Sequence, residues 1–408
     1  MKIRSITCFY NPIAKEATQI LKRFSDLLRE AKDTFQTIDC EVQTTRLATT
    51  PFIDFFPRNK PDLGLDLARQ YDAQIKELGF DYISLGPAPL DQPETFQLIP
   101  FILTAAENTF LSASIADLEH GISLPAIQSA ARAIHQIARS SPDGFANLRF
   151  VALANVPPFT PFFPAAYSQG DNPAFAFAMQ AADEVMAAFS KAESLIRARD
   201  ILLASLQHGA EKIDAVARGL AKKYSAEFKG FDFSPAPFPG ESCSAGKALE
   251  SLGLPRLGFS GSLASAAFLA DCLQQGNWKK TGFNGVMLPV LEDSYLARRS
   301  ADGALGVYDL LLYSAVCGTG LDTVPLPGDI TPEEIEPLLL DIAALALRLN
   351  KPLTARLMPI PGKKVGDKTE FSFDYFANGR VLDYRSGALQ GLFASKELFK
   401  LSSRKNGG

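Results

Sequence analysis

The first 156 residues alternate short β-branched or aromatic runs with helical periodicity, and this alternation limits the fold more than any other feature. Ile3–Phe9 predicts a strand, stopped by Asn11-Pro12. Apolar residues at Ile20, Leu21, Phe24, Leu27 and Leu28 then predict an amphipathic helix over Ala14–Phe35. Glu41–Leu47, Asp81–Leu85, Leu111–Ile115 and Leu148–Ala154 read as further strands. Helices at Leu65–Leu78, Glu94–Ala106 and Leu124–Ala138 separate them. Helices between successive strands put those strands in parallel, so the segment predicts five strands of a parallel sheet.

Val156-Pro157-Pro158 ends the series, and Pro157–Pro173 carries five prolines and four aromatic residues. No regular element fits that composition, although the aromatic rings favour burial, so a packed lid or partner-facing loop is expected. An Ala-rich stretch, 174–226, reads as a helical insert. A second β/α half spans 227–385, with strands at Gly230–Ser234, Val286–Val290, Leu321–Val324, Thr354–Met358 and Phe371–Phe376. Its helices fall at Ala245–Leu252, Ser262–Gln274, Tyr308–Ala315 and Pro332–Leu349, and residues 386–408 form a tail.

Net charge and cysteine usage exclude several function classes. A formal charge of −4 argues against nucleic acid as the partner, because phosphate neutralisation needs a basic face. The basic end, Lys400–Lys405, reads as a solvated tail. The opening MKIRSITCFYNP is too polar for a signal peptide, and no apolar run is long enough to span a bilayer, so no membrane partner is expected. Cys8, Cys40, Cys243, Cys272 and Cys317 are scattered and odd in number, which predicts reduced thiols and a cytoplasmic protein.

Candidate chemistry gathers at the loops of the second half. Gly240–Ala248 misses the phosphate-binding loop twice: five residues separate its glycines, and Ala248 stands where a Ser or Thr would hold magnesium. It and Gly258–Ser262 lead into helices, whose free N–H groups either hold an anion or are capped by serine. His120, His135 and His208 lie outside these loops, which argues against a serine triad. Asp232, Glu241, Glu292, Asp293 and Asp322 fall at or near predicted strand ends, where they either converge as an acid/base or cation site or serve as caps. Arg4, Arg46 and Arg356 sit inside predicted strands and Lys351 just before one; a buried guanidinium requires a carboxylate or an anionic ligand. Cys317, in CGTGLD, is either a buried thiol or a nucleophile on a turn.

Taken in order, RSIT (Arg4–Thr7), DYISLG (Asp81–Gly86), LANV (Leu153–Val156), DFSPAPFPGES (Asp232–Ser242), GFSG (Gly258–Gly261), GFNGVMLPVLED (Gly282–Asp293), CGTGLD (Cys317–Asp322) and KPLTARLMPIPGKKVGD (Lys351–Asp367) resemble the domain of unknown function 711 family, also called uncharacterised protein family 0210. The resemblance implies a single α/β domain, a ten-stranded α/β barrel of two five-stranded halves, similar to that of glycyl radical enzymes. It does not imply their chemistry, since Arg380–Tyr384 carries Asp383 where a radical loop would carry glycine. The chain also has Ser168-Gln169 and Ser260-Gly261 where many members of the family have His-Gly.

These readings give two alternative functions. The first is a barrel binding a small anionic metabolite in a central pocket, as a non-radical enzyme. Cys317, Asp322, Glu292 and Asp293 are then its catalytic candidates, and Arg4, Asp232, Ser234, Glu241, Ser260, Asn284 and Arg356 its ligand contacts. No metal ligand is assigned, although a divalent cation is the cofactor such carboxylates would accept. The second is a metabolite sensor or oligomeric scaffold without an active site. A homodimer is the expected assembly, from the commonness of twofold symmetry.

Overall fold

The structure is a computed structural model that describes residues 1–57 and 61–404, so residue 405 of the basic tail lies outside it. Among the described residues eleven strands join one sheet with helices outside it. The strands are β1 (Lys2–Tyr10), β2 (Val42–Thr49), β3 (Tyr82–Ala88), β4 (Thr109–Asp117), β5 (Gly121–Ser123), β6 (Phe150–Ala154), β7 (Ala174–Gln180), β8 (Glu227–Asp232), β9 (Gly320–Pro327), β10 (Leu353–Ile360) and β11 (Leu398–Phe399). The main path runs β8-β7-β1-β2-β3-β4-β6-β10-β9, with β5 and β11 paired beside β4.

The five strands expected in the first half are β1, β2, β3, β4 and β6, and their mutual pairings are parallel. The second half meets them in the opposite sense, through antiparallel β1–β7 and β6–β10 pairings. Strands β6, β9 and β10 are buried at every position, which explains their near-continuous apolar runs. Helix boundaries follow local chemistry. Ser123 caps helix Leu124–Ala138 by accepting from the Ala126 N–H, and a Thr331/Glu334 capping box with proline in the first turn starts Pro332–Leu349.

Four expectations need correction. Ala174–Gln180, taken with the helical insert, is strand β7: Phe175, Phe177 and Met179 alternate with small residues. Val286–Val290 forms no ladder. Pro289 has no N–H to give, and the segment makes one isolated bridge, Pro289 to Asp322 of β9; upstream of it Lys280 makes another, to Phe231 of β8. Phe371–Phe376 is likewise not a strand; its backbone turns, with the Phe376 N–H donating to the Phe373 carbonyl, so that Phe371, Phe373 and Phe376 pack around Phe145. Helix Ser294–Ala301 was not anticipated.

The Pro-rich loop runs through the interior. Thr7, Ser84 and Thr281 hydroxyls donate to the carbonyls of Pro161, Pro164 and Phe159, and Ser168 N–H donates to Thr49. Residues 160–166 are buried throughout, and Phe163 and Ala166 pack with Phe9, Ala48 and Phe110 of the strands. The middle of the loop is therefore core filling, whereas Gln169–Asn172 near its end are exposed. No helix among the described residues is long and apolar enough to cross a membrane.

Candidate functional site

Beside this loop lies a cavity of about 410 Å³, whose wall takes residues from seven strands: β1, β2, β3, β4, β7, β8 and β10. It sits at the starts of the first-half strands (Arg4, Arg46, Tyr82, Phe110) and at the ends of second-half strands (Met179, Asp232), as the antiparallel meeting of the halves requires.

Two β-bulges place its polar centre. The β1–β7 register shifts between Ile3 and Ser5, so Arg4 has no opposite number. The β9–β10 register shifts between Ala355 and Leu357, setting Asp322 and Thr323 together against Arg356. Thr323 takes φ 42°, the left-handed region that a β-branched residue avoids.

Arg356 donates from Nε and Nη2 to Asp322 Oδ1, both at 2.6 Å, and from Nη2 to Glu292 Oε1 at 2.9 Å. Arg4 reaches the other Glu292 oxygen at 3.6 Å and Gln43 Oε1 at 3.4 Å, a loose hold. Arg46 differs from both. Its Nε donates to Thr44 Oγ1, and among the described residues its two Nη groups have no protein acceptor. Each guanidinium also lies over a ring: Arg4 over Tyr375 at 4.9 Å, Arg46 over Phe163 at 5.0 Å and Arg356 over Phe162 at 5.4 Å. Stacking covers a face and leaves the in-plane N–H groups free to donate.

Protonation follows from burial and these neighbours. Burial lowers Arg46 to about 10, with the Arg4 charge acting in the same direction, so it remains charged at neutral pH. Burial raises Asp322 to about 6 against the pull of Arg356, and Glu292 adds to the rise. For Arg356 burial opposes the charge, but Asp322 and Glu292 together outweigh it and raise its pKa. The partners lean in opposite senses because one guanidinium serves two carboxylates. The upward direction at Asp322 is the one its geometry supports, since its Oδ2 is buried without a hydrogen-bond partner.

The structure brings together Arg4, Asp232, Ser234, Glu292 and Arg356 in the cavity wall, with Asp322 directly behind Arg356. Asp232 is held tightly: Oδ1 accepts from Ser234 N and Oγ and from Asn284 N, and Oδ2 from Phe283 N. Burial raises its pKa, partly offset by those bonds. Asn284 is a brace, linking Phe231, Phe233, Trp278 and Thr281 outside the cavity wall. Asp293 is the N-cap of Ser294–Ala301 and also accepts from Ser244 and Gly246. Glu241 is exposed beside Lys247 and Arg298, Ser260 is exposed, and Cys317 is buried away from the cavity wall. Lys351 caps the helix ending at Ser314, bonding to the carbonyls of Ser314 and Cys317.

Arg149 also lines the cavity, but its donors are taken by the carbonyls of Leu103 and Ala106 at 2.8 and 2.6 Å. Phe145, Phe373 and Tyr375 complete an aromatic wall that the sequence reading did not assign to the site; the unusual density of rings in 371–376 was the available signal. Among the described residues no group of three or more His, Cys, Asp or Glu side chains comes together as a metal site.

The family described as Uncharacterised ACR (DUF711) matches residues 1–376. A UPF0210 protein of Pyrobaculum islandicum is 30% identical over 371 residues, covering 84% of this chain and 78% of its own length. The UPF0210 protein MK1214 of Methanopyrus kandleri is 29% identical over 379 residues, covering 86% and 82%. One from Halothermothrix orenii is 27% identical over 371 residues, covering 86% and 82%. With a relative 30% identical over 84% of the chain and the family matched over residues 1–376, as far as the aromatic turn at Phe376, the chain belongs to the uncharacterised DUF711 family, also named UPF0210.

Proposed function

We propose that the protein binds a small organic anion in the cavity between its two halves. The observation that carries this reading is Arg46, a charged guanidinium at the cavity wall whose Nη groups have no protein acceptor among the described residues. A half-buried guanidinium with free Nη groups at a cavity wall is suited to an incoming opposite charge. Glu292 acts on Arg46 only through space, because Arg356 and Arg4 engage its two oxygens, and Asp322 is held by Arg356.

The same reading takes the sheet as a ten-stranded barrel resembling that of glycyl radical enzymes. In its support, residues 279–290 bridge both open ends of the strand path: Phe231 N–H donates to Lys279, Thr281 N–H to Phe231, and Val290 N–H to Asp322. A cytoplasmic setting accords with five cysteines that form no disulfide.

In the enzyme version, Glu292 at the wall and Asp322 behind Arg356 are the acid/base groups. Asp322 titrates near the pH at which such groups are effective. The alternative is a sensor or scaffold without turnover. It is favoured by Asp232 and Asp293, whose oxygens are occupied by structural bonds, and by Ser260 and Ser168, which stand apart at the surface and in the core.

A thermal-shift screen of the full chain against organic and inorganic anions tests the binding reading. A ligand at about 100 times its Kd stabilises by about 2.7 kcal/mol. Stabilisation of the wild type that is lost in Arg46→Met is the expected result. Stabilisers that act equally on both proteins would remove Arg46 from the site.

A further inference from the structure

We infer that the ligand is a monocarboxylate carrying an aromatic ring; this deepens, and rests on, the anion-binding reading above. The first argument is charge. Arg149 is spent on backbone carbonyls, Arg356 lies between Asp322 and Glu292, and Arg4 leans on Glu292. That leaves Arg46 as the one guanidinium at the cavity wall with no acidic or carbonyl partner among the described residues. Its two free Nη groups suit the two oxygens of a single carboxylate. A phosphate dianion or a di- or tricarboxylate brings charge for which the wall has no second free cation, and the lining includes neither lysine, histidine nor glycine.

The second argument is the rest of the wall. Phe110 meets Tyr82 and Phe163 edge-on at 5.3 and 5.4 Å, and Phe145 meets Phe373 edge-on at 5.0 Å. Met287, Met179 and Leu148 fill the space between. Rings packed in this way favour another ring, by edge-to-face or offset contact, over an aliphatic chain or a hydrated polar group. A fully hydrophilic anion would strip its hydration shell against these faces without replacement.

The volume agrees. A cavity of about 410 Å³ lies at the small end of ordinary ligand sites, which run from about 300 to 1,000 Å³. The carboxylate would sit at the in-plane edge of Arg46, whose face is already covered by Phe163, and the ring would extend toward Phe145 and Phe373. Phe373 and Tyr375 belong to the half-exposed turn at the rim, so this turn closes over the ring end of the ligand.

Isothermal titration calorimetry on the full chain tests the inference with five probes: 3-phenylpropionate, propionate, 3-phenylpropionamide, inorganic phosphate and citrate. The expected result is that 3-phenylpropionate binds on the order of 30- to 100-fold more tightly than propionate, the gain of burying one ring. The neutral amide, phosphate and citrate should bind far more weakly. Arg46→Met should abolish 3-phenylpropionate binding. Phe373→Ala, at a half-exposed position, should weaken 3-phenylpropionate about tenfold and leave propionate unchanged.

Phosphate or citrate binding as tightly as 3-phenylpropionate, and lost in Arg46→Met, would overturn the aromatic monocarboxylate while the anion site stands. Amide binding equal to that of the acid would overturn both readings. Absence of heat from all five probes, with the protein folded by circular dichroism, would overturn the proposed class.

Discussion

Arg356 holds Oδ1 of Asp322 from both Nε and Nη2 at 2.6 Å, while Oδ2 of the same carboxylate is buried without a hydrogen-bond partner among the described residues. This lopsided pair sets a pH dependence. Burial moves Asp322 from 3.8 to about 6, so between these values the folded protein keeps a proton that the unfolded chain has released. The stability this contributes is complete below about pH 4 and is lost as the pH rises through 6. Asp322→Asn cannot titrate, and should remove a downward slope of up to about 1.4 kcal/mol per pH unit across that window. Urea denaturation at a series of pH values reads this directly; parallel wild-type and variant profiles would show that Asp322 does not titrate there.

Arg46 and Arg356 should respond in opposite senses to the same substitution. Arg46→Met removes a half-buried charge that has no ion pair among the described residues, and the ligand-free melting temperature should hold or rise. Arg356→Met strands two carboxylates and should cost about 3–5 kcal/mol. Equal losses in both variants, measured by chemical denaturation, would mean that Arg46 has a protein counter-charge in solution.

Arg149 borders the cavity but works on the backbone. Arg149→Ala leaves the carbonyls of Leu103 and Ala106 without their donor and should cost about 1.5–3 kcal/mol. Affinity for 3-phenylpropionate should stay within about twofold once the protein is folded, because its donors do not face the ligand. A large affinity loss with unchanged stability would assign Arg149 to the ligand.

The crossing of Gly285 over Gly318 leaves no room for a side chain. A Cβ on Gly285 would come within 2.4 Å of the Gly318 Cα, so Gly285→Ala should destabilise by about 1–3 kcal/mol or more. Gly240→Ala, where nothing lies within 4 Å, serves as the control and should be close to neutral. Equal denaturation midpoints for the two variants would refute the close approach.

Much of this architecture was legible from local pattern. Leu124–Ala138 matched its predicted bounds because Ser123, Pro125 and the apolar stripe agree. The first five parallel strands followed from β/α alternation. Strand β7 was misread because its alanines suggested helix, although Phe175, Phe177 and Met179 already repeated every second residue. Arg4, Arg46 and Arg356 stood out as strand arginines in need of partners, but only Arg4 and Arg356 were named as ligand contacts; all three reach the cavity wall. The carboxylates were less distinguishable: Asp293 and Glu292 are adjacent, yet one caps a helix and the other faces the cavity. Bulges at Arg4 and Arg356 decide which side chains turn inward, and a bulge leaves no residue-type signature in these strands.

The antiparallel seams between the halves also bear on how the chain is made. Ala154 on β6 pairs with Ala116 of β4 on one side but has no neighbour on the other until Leu353 emerges from the ribosome, whereas β1 finds β7 much sooner. During synthesis the nascent first half therefore carries an open β-edge for about half of translation, a template for pairing with other chains. A release at residue 156 would yield not a smaller working unit but an adhesive one, with its arginines facing water and its β6 edge exposed.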